Sequence, residues 1–431
     1  MIFPMAWKLG VGVCALSLLV GLVAGGCNQG GEEGTGPLSA GAADGGPPSG
    51  GSGDPGAPSP GGSSHVGPDP ADPCEYTLEQ IADDLENDYA MPTWEMLDCF
   101  RQGLTRSRPA FVTRLLAVGD LPGIGPGGGP RQHLIHLEYW DRLWKEHPVS
   151  VSSHLFGTMG PFRTNAMEDI HYPLYPTHLD ARMRKGMVAV LREKQAGRPV
   201  VLAQFVPPGD DIDGIPLFET ADEYRAYARE IWIPWHVELA KVAERFQVDY
   251  FAAANELDAL FQRQSILLQK LPPAEQVALV QWLIDELRAA VRPHYGGVLL
   301  AYSYVRYGIG DDHWMDLSYA GYDEVAFPLI PECDVEGLRK YVHDQMLGYA
   351  RIVERSGIPW RVSELDIVRK LFETSCGRDF EAIEADLYRE AFRILDDPPM
   401  PSKPIGVSVL AKEVTTAAAW EVIDAYFQAH R

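Results

Sequence analysis

Eight short apolar runs, stretches of helical period between most of them, and a Gly/Pro/Ser-rich stretch confined to the N-terminal end predict the architecture. It is α/β: a (β/α)8 TIM barrel preceded by a short helical N-terminal segment and a disordered linker. A parallel neighbour cannot be reached by a tight turn, so strands alternating with helices imply parallel pairing with helical crossovers. Eight such units fit one barrel with long loops rather than several domains.

Residues 1–27 carry a single Lys8, an apolar run from about Leu9 to Ala24, and small residues ending in Cys27. The run is short for a membrane span and suits a secretory signal. Cys27 after Ala24-Gly25-Gly26 resembles the lipobox of bacterial lipoproteins, which implies that Cys27 is acylated and becomes the mature N-terminus; a plainly secreted protein is the alternative. Residues 28–73 hold 14 Gly, 9 Pro and 6 Ser, with Leu38 and Val66 the only large aliphatics. Such a segment cannot offset its ordering entropy by burial and reads as a flexible tether reaching about 35 to 40 Å. The expectation is an exported protein, periplasmic or on the cell surface, that meets the membrane only through its lipid anchor.

The predicted barrel domain runs from 74 to 431, with a helical extension from 74 to about 107. It retains four of the six cysteines outside the leader: Cys74, Cys99, Cys333 and Cys376. No CxxC pair occurs, so an exported chain points to two disulfides rather than a metal site. Three connectivities are open; Cys74–Cys99, closing a local helical hairpin, and Cys333–Cys376 are favoured.

Expected strands are Phe111–Ala117, Val149–Leu155, Val200–Val206, Val248–Ala254, Val298–Tyr304, Leu317–Tyr322, Trp360–Glu364 and Ile405–Leu410. Helical stripes lie between them. Trp235, Leu239, Val242 and Phe246 form one, with Pro234 expected to kink it; Val280, Ile284, Leu287 and Val291 form another; Phe380, Ile383, Leu387 and Ile394 a third. Gly357 and Pro359 mark a helix stop before strand seven. Only about a dozen residues separate the expected strands five and six, room for a turn of helix at most.

Two glutamates fall at C-terminal strand ends, the face on which barrel active sites are built. Glu256, beside Asn255, closes VDYFAAANEL, and Glu364 closes PWRVSELDI. Placed on strands four and seven, they can converge over the mouth. Glycosidic hydrolysis needs such a pair: one carboxyl protonates the leaving oxygen while the other attacks the anomeric carbon, about 5 to 5.5 Å apart for retention. Neighbouring carboxylates also split their pKa values, so one can stay protonated. The Asn255 amide both donates and accepts, as a sugar hydroxyl requires. Two ordinary surface glutamates are the bland alternative.

The NEL after VDYF and the SELDI after WRV resemble the acid/base and nucleophile motifs of clan A retaining glycoside hydrolases. QWLIDELRAAVRPHYGGVLLAYSYV followed by HWMDLSYAGYDEVAFPLIP is similar to the strand-five and strand-six region of glycoside hydrolase family 113, in which β-mannanases are found. The resemblance covers roughly residues 199 to 368. It implies Glu256 as acid/base and Glu364 as nucleophile, with Tyr322 after strand six and Trp314 lining the site. A short stretch between strands five and six is also a property of that family. Leu410-Ala411 stands where the family has an aromatic after strand eight.

Asp210, with Asp211 and Asp213, follows strand three and is a candidate for sugar hydroxyls or calcium, weighed against a solvated acidic turn. Tyr302 and Tyr304 alternate, so only one can face the barrel. Gly123, Gly125 and Gly128 spell GxGxxG, but Pro126 and further glycines make a flexible loop of it. The chain has 37 basic and 60 acidic residues, a formal charge of −23. Six of those acids and one base precede residue 74, so the remainder keeps −18. That field repels nucleic acid and anionic membranes and tolerates a neutral polysaccharide or oligosaccharide. The expected activity is retaining hydrolysis of a β-linked poly- or oligosaccharide, possible substrates including β-mannan, by a monomer without cofactor or metal. Two alternatives stand: a catalytically inactive carbohydrate-binding surface lipoprotein on the same barrel, and a metal-dependent barrel hydrolase using the aspartates after strand three.

Overall fold

The computed structural model describes residues 72–86, 92–116, 142–157, 176–205, 217–262, 264–304, 312–330, 334–367 and 379–431. Eight parallel strands form one sheet in the order β1-β8-β7-β6-β5-β4-β3-β2. They are β1 Val112–Leu116, β2 Ser152–Gly157, β3 Val200–Phe205, β4 Tyr250–Asn255, β5 Val298–Tyr302, β6 Glu324–Leu329, β7 Trp360–Leu365 and β8 Gly406–Leu410. The ends of this order meet where Ser150 and Val151, entering β2, donate their N–H groups to the Thr113 carbonyl of β1. The sheet thus closes on itself, as the alternating pattern predicts. At the β1–β8 seam Val112 pairs with Gly406, where a Cβ would come 2.7 Å from the valine's own, so only glycine fits that approach.

Helices Pro176–Gln195, Ile233–Arg245, Pro273–Val291, Val335–Ser356, Phe380–Asp396 and Ala417–Ala429 make the outer layer. Their apolar stripes pack on outward strand residues: Val280, Ile284, Leu287 and Val291 are all fully buried. Gly357 ends its helix in the left-handed conformation at φ 66, as the Gly-Pro signal predicts. Pro234, which has no N–H for the preceding turn, is absorbed without a break: the chain widens into a π-turn over Ala228–Trp232 and then continues as helix.

Strand six differs from expectation. Leu317–Tyr322 is not a strand, although Leu317, Tyr319 and Tyr322 are buried, because it is wedged between two helices. Gln281 and Ser356 bond the backbone at Ser318 and Tyr319, and the Tyr322 hydroxyl donates to the Ile284 carbonyl. The strand is the next segment, Glu324–Leu329. The awkward gap therefore lengthens to hold a 3-10 turn at Asp312–Asp316.

The N-terminal segment folds as two short helices, Leu78–Glu86 and Trp94–Asp98, joined by the expected Cys74–Cys99 disulfide with Cα atoms 5.4 Å apart. Leu78, Ile81 and Leu97 share a core with Met183 and Met187 of the first long helix. Residues 105–108 then cross the N-terminal end of the barrel. Lys194 bonds the Thr105 carbonyl and the buried Asp249, Ser107 donates its N–H to Asp249, and Arg106 bonds the Val248 carbonyl. Arg108 reaches Glu324 at 2.9 Å. Cys27 and Cys333 and Cys376 lie outside the described residues, as does Asp210. Among the described residues no helix is long and apolar enough to cross a membrane.

The interior of the barrel is apolar at Val112, Val201, Ala203, Tyr250, Ala252, Val298, Leu300, Tyr302 and Ala326. Glu324 and Arg361 form an ion pair in the same space, both nearly inaccessible, with the guanidinium 4.9 Å from the centre of the Tyr250 ring. Desolvation brings the Arg361 pKa down to about 10, so it remains cationic at neutral pH. Removing one partner of such a pair strands the other charge. Glu324→Gln is therefore expected to lower unfolding free energy by about 3 to 5 kcal/mol in urea titrations, and Glu324→Gln with Arg361→Met to recover most of it. A single variant as stable as the parent would contradict this.

His236 is buried one turn beyond the π-segment, where its Nδ1 donates to the Trp232 carbonyl at 2.7 Å. Desolvation holds its pKa down at about 4, against 6.5 ordinarily. The unfolded chain takes up this proton first as pH falls, so His236 withdraws stability from about pH 6.5 down to about 4, by roughly 3 kcal/mol in all. His236→Asn retains a donor for Trp232 without the titration. Its stability should fall less than the parent's between about pH 7 and 4.5, by about 2 kcal/mol in urea melts; equal losses would contradict the assignment.

Candidate active site at the barrel mouth

Side chains of a strand alternate strictly between interior and exterior, so placing a chosen residue over the mouth can require breaking the alternation. β4 and β7 both do so. On β4, Ala252 pairs with Leu300 and Ala254 with Ala301, so β4 carries one residue more than β5. Ala252 faces the barrel interior, Ala253 and Ala254 both pack outward, and Asn255 is thereby returned to the inner side opposite Tyr302. On β7, Phe327 and Pro328 of β6 pair with Val362 and Glu364, while Val407 and Val409 of β8 pair with Val362 and Leu365. Val362 and Leu365 pack outward, so both intervening residues, Ser363 and Glu364, fall on the inner side.

Glu256 follows the end of β4 in a left-handed conformation, φ 52 and ψ 37. Among the described residues Gln247 is the other non-glycine at positive φ. The conformation costs about 1 to 2 kcal/mol and marks a residue held for its position. Its N–H donates to the Tyr302 carbonyl at 2.8 Å, tying the turn to β5. Glu256 is half-buried, Asn255 is buried, and Glu364 is only 5% exposed. The ladder Asn255–Tyr302–Ala326 and the pair Pro328–Glu364 put both glutamates at the C-terminal rim.

Arg114 of β1 extends beneath them. Its guanidinium donates to the Tyr302 hydroxyl at 3.1 Å and to the Ser363 carbonyl at 3.0 Å, one residue before Glu364. It is 2% exposed. This places a cation against the displaced segment of β7 and binds three strands to one side chain. Tyr302 is thus the tyrosine that faces the barrel, while Tyr304 packs with Ala259 and Ile330 above it.

Asp258, two residues after Glu256, is fully buried. Its carboxylate accepts from the Ser303 hydroxyl at 2.5 Å and from the Tyr304 N–H at 3.0 Å. Desolvation raises its pKa, opposed by these donors.

Two expected site residues are placed elsewhere. Tyr322 precedes β6 instead of following it, and is buried with its hydroxyl on the Ile284 carbonyl, away from the mouth. Trp314 is 1% exposed in the 3-10 turn, edge-on to Phe261, so it is a packing residue with no face free for a sugar. Leu410, the last residue of β8, and Ala411 after it are buried. Sequence reasoning missed Arg114, Arg361 and Asp258. The arginines had a signal: a charge in the middle of FVTRLLA or WRVSEL is foreign to a parallel strand buried on both faces.

No family profile matches the chain, and no curated protein matches it. Among solved structures it is similar to a family 113 β-1,4-mannanase, at 14% identity over 75% of this chain and 100% of that one, TM-score 0.43. It is similar also to the family 113 β-mannanase of Alicyclobacillus acidocaldarius in complex with ManMIm, at 13% identity over 75% and 98%, TM-score 0.42. A third is a GH5-4 broad-specificity endoglucanase from an uncultured bacterium, at 14% identity over 74% and 94%, TM-score 0.49.

Proposed function

We propose that the chain is a retaining glycoside hydrolase acting on a β-linked poly- or oligosaccharide, with β-mannan the substrate to try first. The observation that carries this reading is the pair of glutamates at the rims of β4 and β7: Glu364 lies on the inner side within a bulge of β7, and Glu256 follows Asn255, which a bulge in β4 returns to the inner side, in a left-handed turn. In this reading Glu364 attacks the anomeric carbon, and Glu256 protonates the departing oxygen and then takes the proton of the incoming water. Each role matches its surroundings. A nucleophile must be anionic, and the Arg114 guanidinium supplies positive charge one residue away. An acid/base must exchange protons with solvent, and Glu256 is the more exposed of the two. Asn255, adjacent to the acid/base, can hold a sugar hydroxyl that binds more tightly in the transition state. The mannan preference rests on the sequence resemblance of residues 199–368 to family 113. The acidic charge of the chain suits a neutral glycan.

The same reading places the enzyme outside the cytoplasm, held by a lipid on Cys27 and spaced from the membrane by residues 28–73. Radiolabelled palmitate should enter the parent and be absent from Cys27→Ser; equal incorporation in both would remove the anchor.

Release of reducing ends from β-mannan and from other β-linked glycans tests the catalytic assignment. Glu364→Gln should lower kcat by about 10³-fold or more, and Glu256→Gln by about 10² to 10⁴-fold, with folding unchanged by circular dichroism. Full activity in both variants would refute it. Glycan binding by the parent in calorimetry, without any reducing ends after long incubation, would instead support a carbohydrate-binding protein on this barrel.

A further inference from the structure

The short helix Leu257–Phe261 follows Glu256 directly, and its second residue is the buried Asp258. Three bonds in a row join this turn to the end of β5. The Glu256 N–H donates to the Tyr302 carbonyl at 2.8 Å, the Ser303 hydroxyl to Asp258 Oδ2 at 2.5 Å, and the Tyr304 N–H to the same oxygen at 3.0 Å. Asp258 Oδ1 also accepts from the N–H of Ala259 at 2.9 Å. A continuing β4 would offer β5 a backbone carbonyl at this level. Here the backbone has turned away, with the carbonyls of Glu256 and Asp258 accepting from Leu260 and Gln262, and the Asp258 carboxylate bonds the β5 end instead.

We infer that Asp258 is a positioning residue: it latches the left-handed turn of Glu256 to the Ser303–Tyr304 end of β5 and so fixes where the acid/base carboxyl stands over the mouth. This rests on the glycosidase reading. Two features set the latch apart from ordinary loop satisfaction. The turn it closes contains a strained non-glycine residue that relaxes when released, at φ 52. The two anchors lie on either side of that residue's side chain, with the Glu256 N–H before it and the Asp258 carboxylate after it. Displacing a proton donor by about 1 Å is enough to cost about 10²-fold in rate.

The readout is the dependence of rate on leaving group. Protonation matters for a poor leaving group such as phenol and hardly at all for 2,4-dinitrophenol, whereas loss of the nucleophile or of the fold slows both. The full chain and the variants Asp258→Ala, Asp258→Asn, Ser303→Ala and Glu256→Ala are assayed on aryl β-mannobiosides and aryl β-cellobiosides graded between those two phenols. Asp258→Ala is expected to lose about 10² in kcat/KM, which reports the glycosylation step, on the phenyl glycoside and less than about threefold on the dinitrophenyl one. Asp258→Asn keeps an oxygen for the Tyr304 N–H and should restore most of the phenyl rate, and Ser303→Ala should show the same pattern as Asp258→Ala at smaller size. If Glu256→Ala shows the leaving-group pattern while Asp258→Ala slows both substrates alike or neither, the latch is wrong and the glycosidase reading stands. Should Asp258→Ala not fold, a flat leaving-group response in Asp258→Asn and Ser303→Ala overturns the latch equally. Glu256→Ala without the pattern, or a parent that cleaves no aryl glycoside of either series, overturns the glycosidase reading and the latch with it.

Discussion

A parallel barrel strand presents every second side chain to its interior, and this alternation is the constraint on which the candidate site depends. Neither β4 nor β7 would bring its rim residues inward as it does if it kept strict period two. β4 inserts one residue against β5, at Ala252–Ala254, and β7 inserts one against both β6 and β8, between Val362 and Leu365. The insertions lie just before Asn255-Glu256 and around Glu364. A bulge costs a ladder position and gains a re-aimed side chain. Two of them under the two carboxylates at the rim make the arrangement hard to attribute to packing alone.

Displaced segments need support, and the interior provides it in polar form. Arg114 bonds the Ser363 carbonyl within the β7 bulge and the Tyr302 hydroxyl at the end of β5. The Tyr302 carbonyl in turn receives the Glu256 N–H. A single chain of contacts therefore runs from the nucleophile candidate through Arg114 and Tyr302 to the acid/base candidate. Deeper in the barrel, Arg361 and Glu324 form a second charged layer that connects through Arg108 to the segment crossing the N-terminal end. The N-terminal extension thus bears on the barrel's interior as well as on its outside.

The architecture was largely legible because burial and period go together in most of this chain. Seven of the expected strand windows overlap the observed strands, and the three helical stripes lie in the helices Ile233–Arg245, whose C-cap is the stripe residue Phe246, Pro273–Val291 and Phe380–Asp396. Strand six was not legible for a physical reason. Leu317, Tyr319 and Tyr322 are buried although their segment joins no strand ladder, since the backbone at Ser318 and Tyr319 is satisfied by Gln281 and Ser356 side chains. The true strand begins with Glu324 and contains Pro328, a residue that cannot donate to a ladder and sits where the register shifts. Apolarity reports burial, and only by inference conformation. That error carried Tyr322 to the wrong end of the barrel. Glu256 and Glu364 were visible as strand-end carboxylates, whereas the bulges, the Arg114 contacts and the Asp258 latch arise from register and from residues far apart in sequence, which local pattern does not encode.

The central claim is that two rim carboxylates act on opposite sides of one anomeric carbon with net retention. Proton NMR of the first minutes of hydrolysis of a β-1,4-mannooligosaccharide tests it most directly. The account predicts that the new reducing end appears first as the β-anomer and only later mutarotates towards the equilibrium mixture. Appearance of the α-anomer first would show inversion and contradict it.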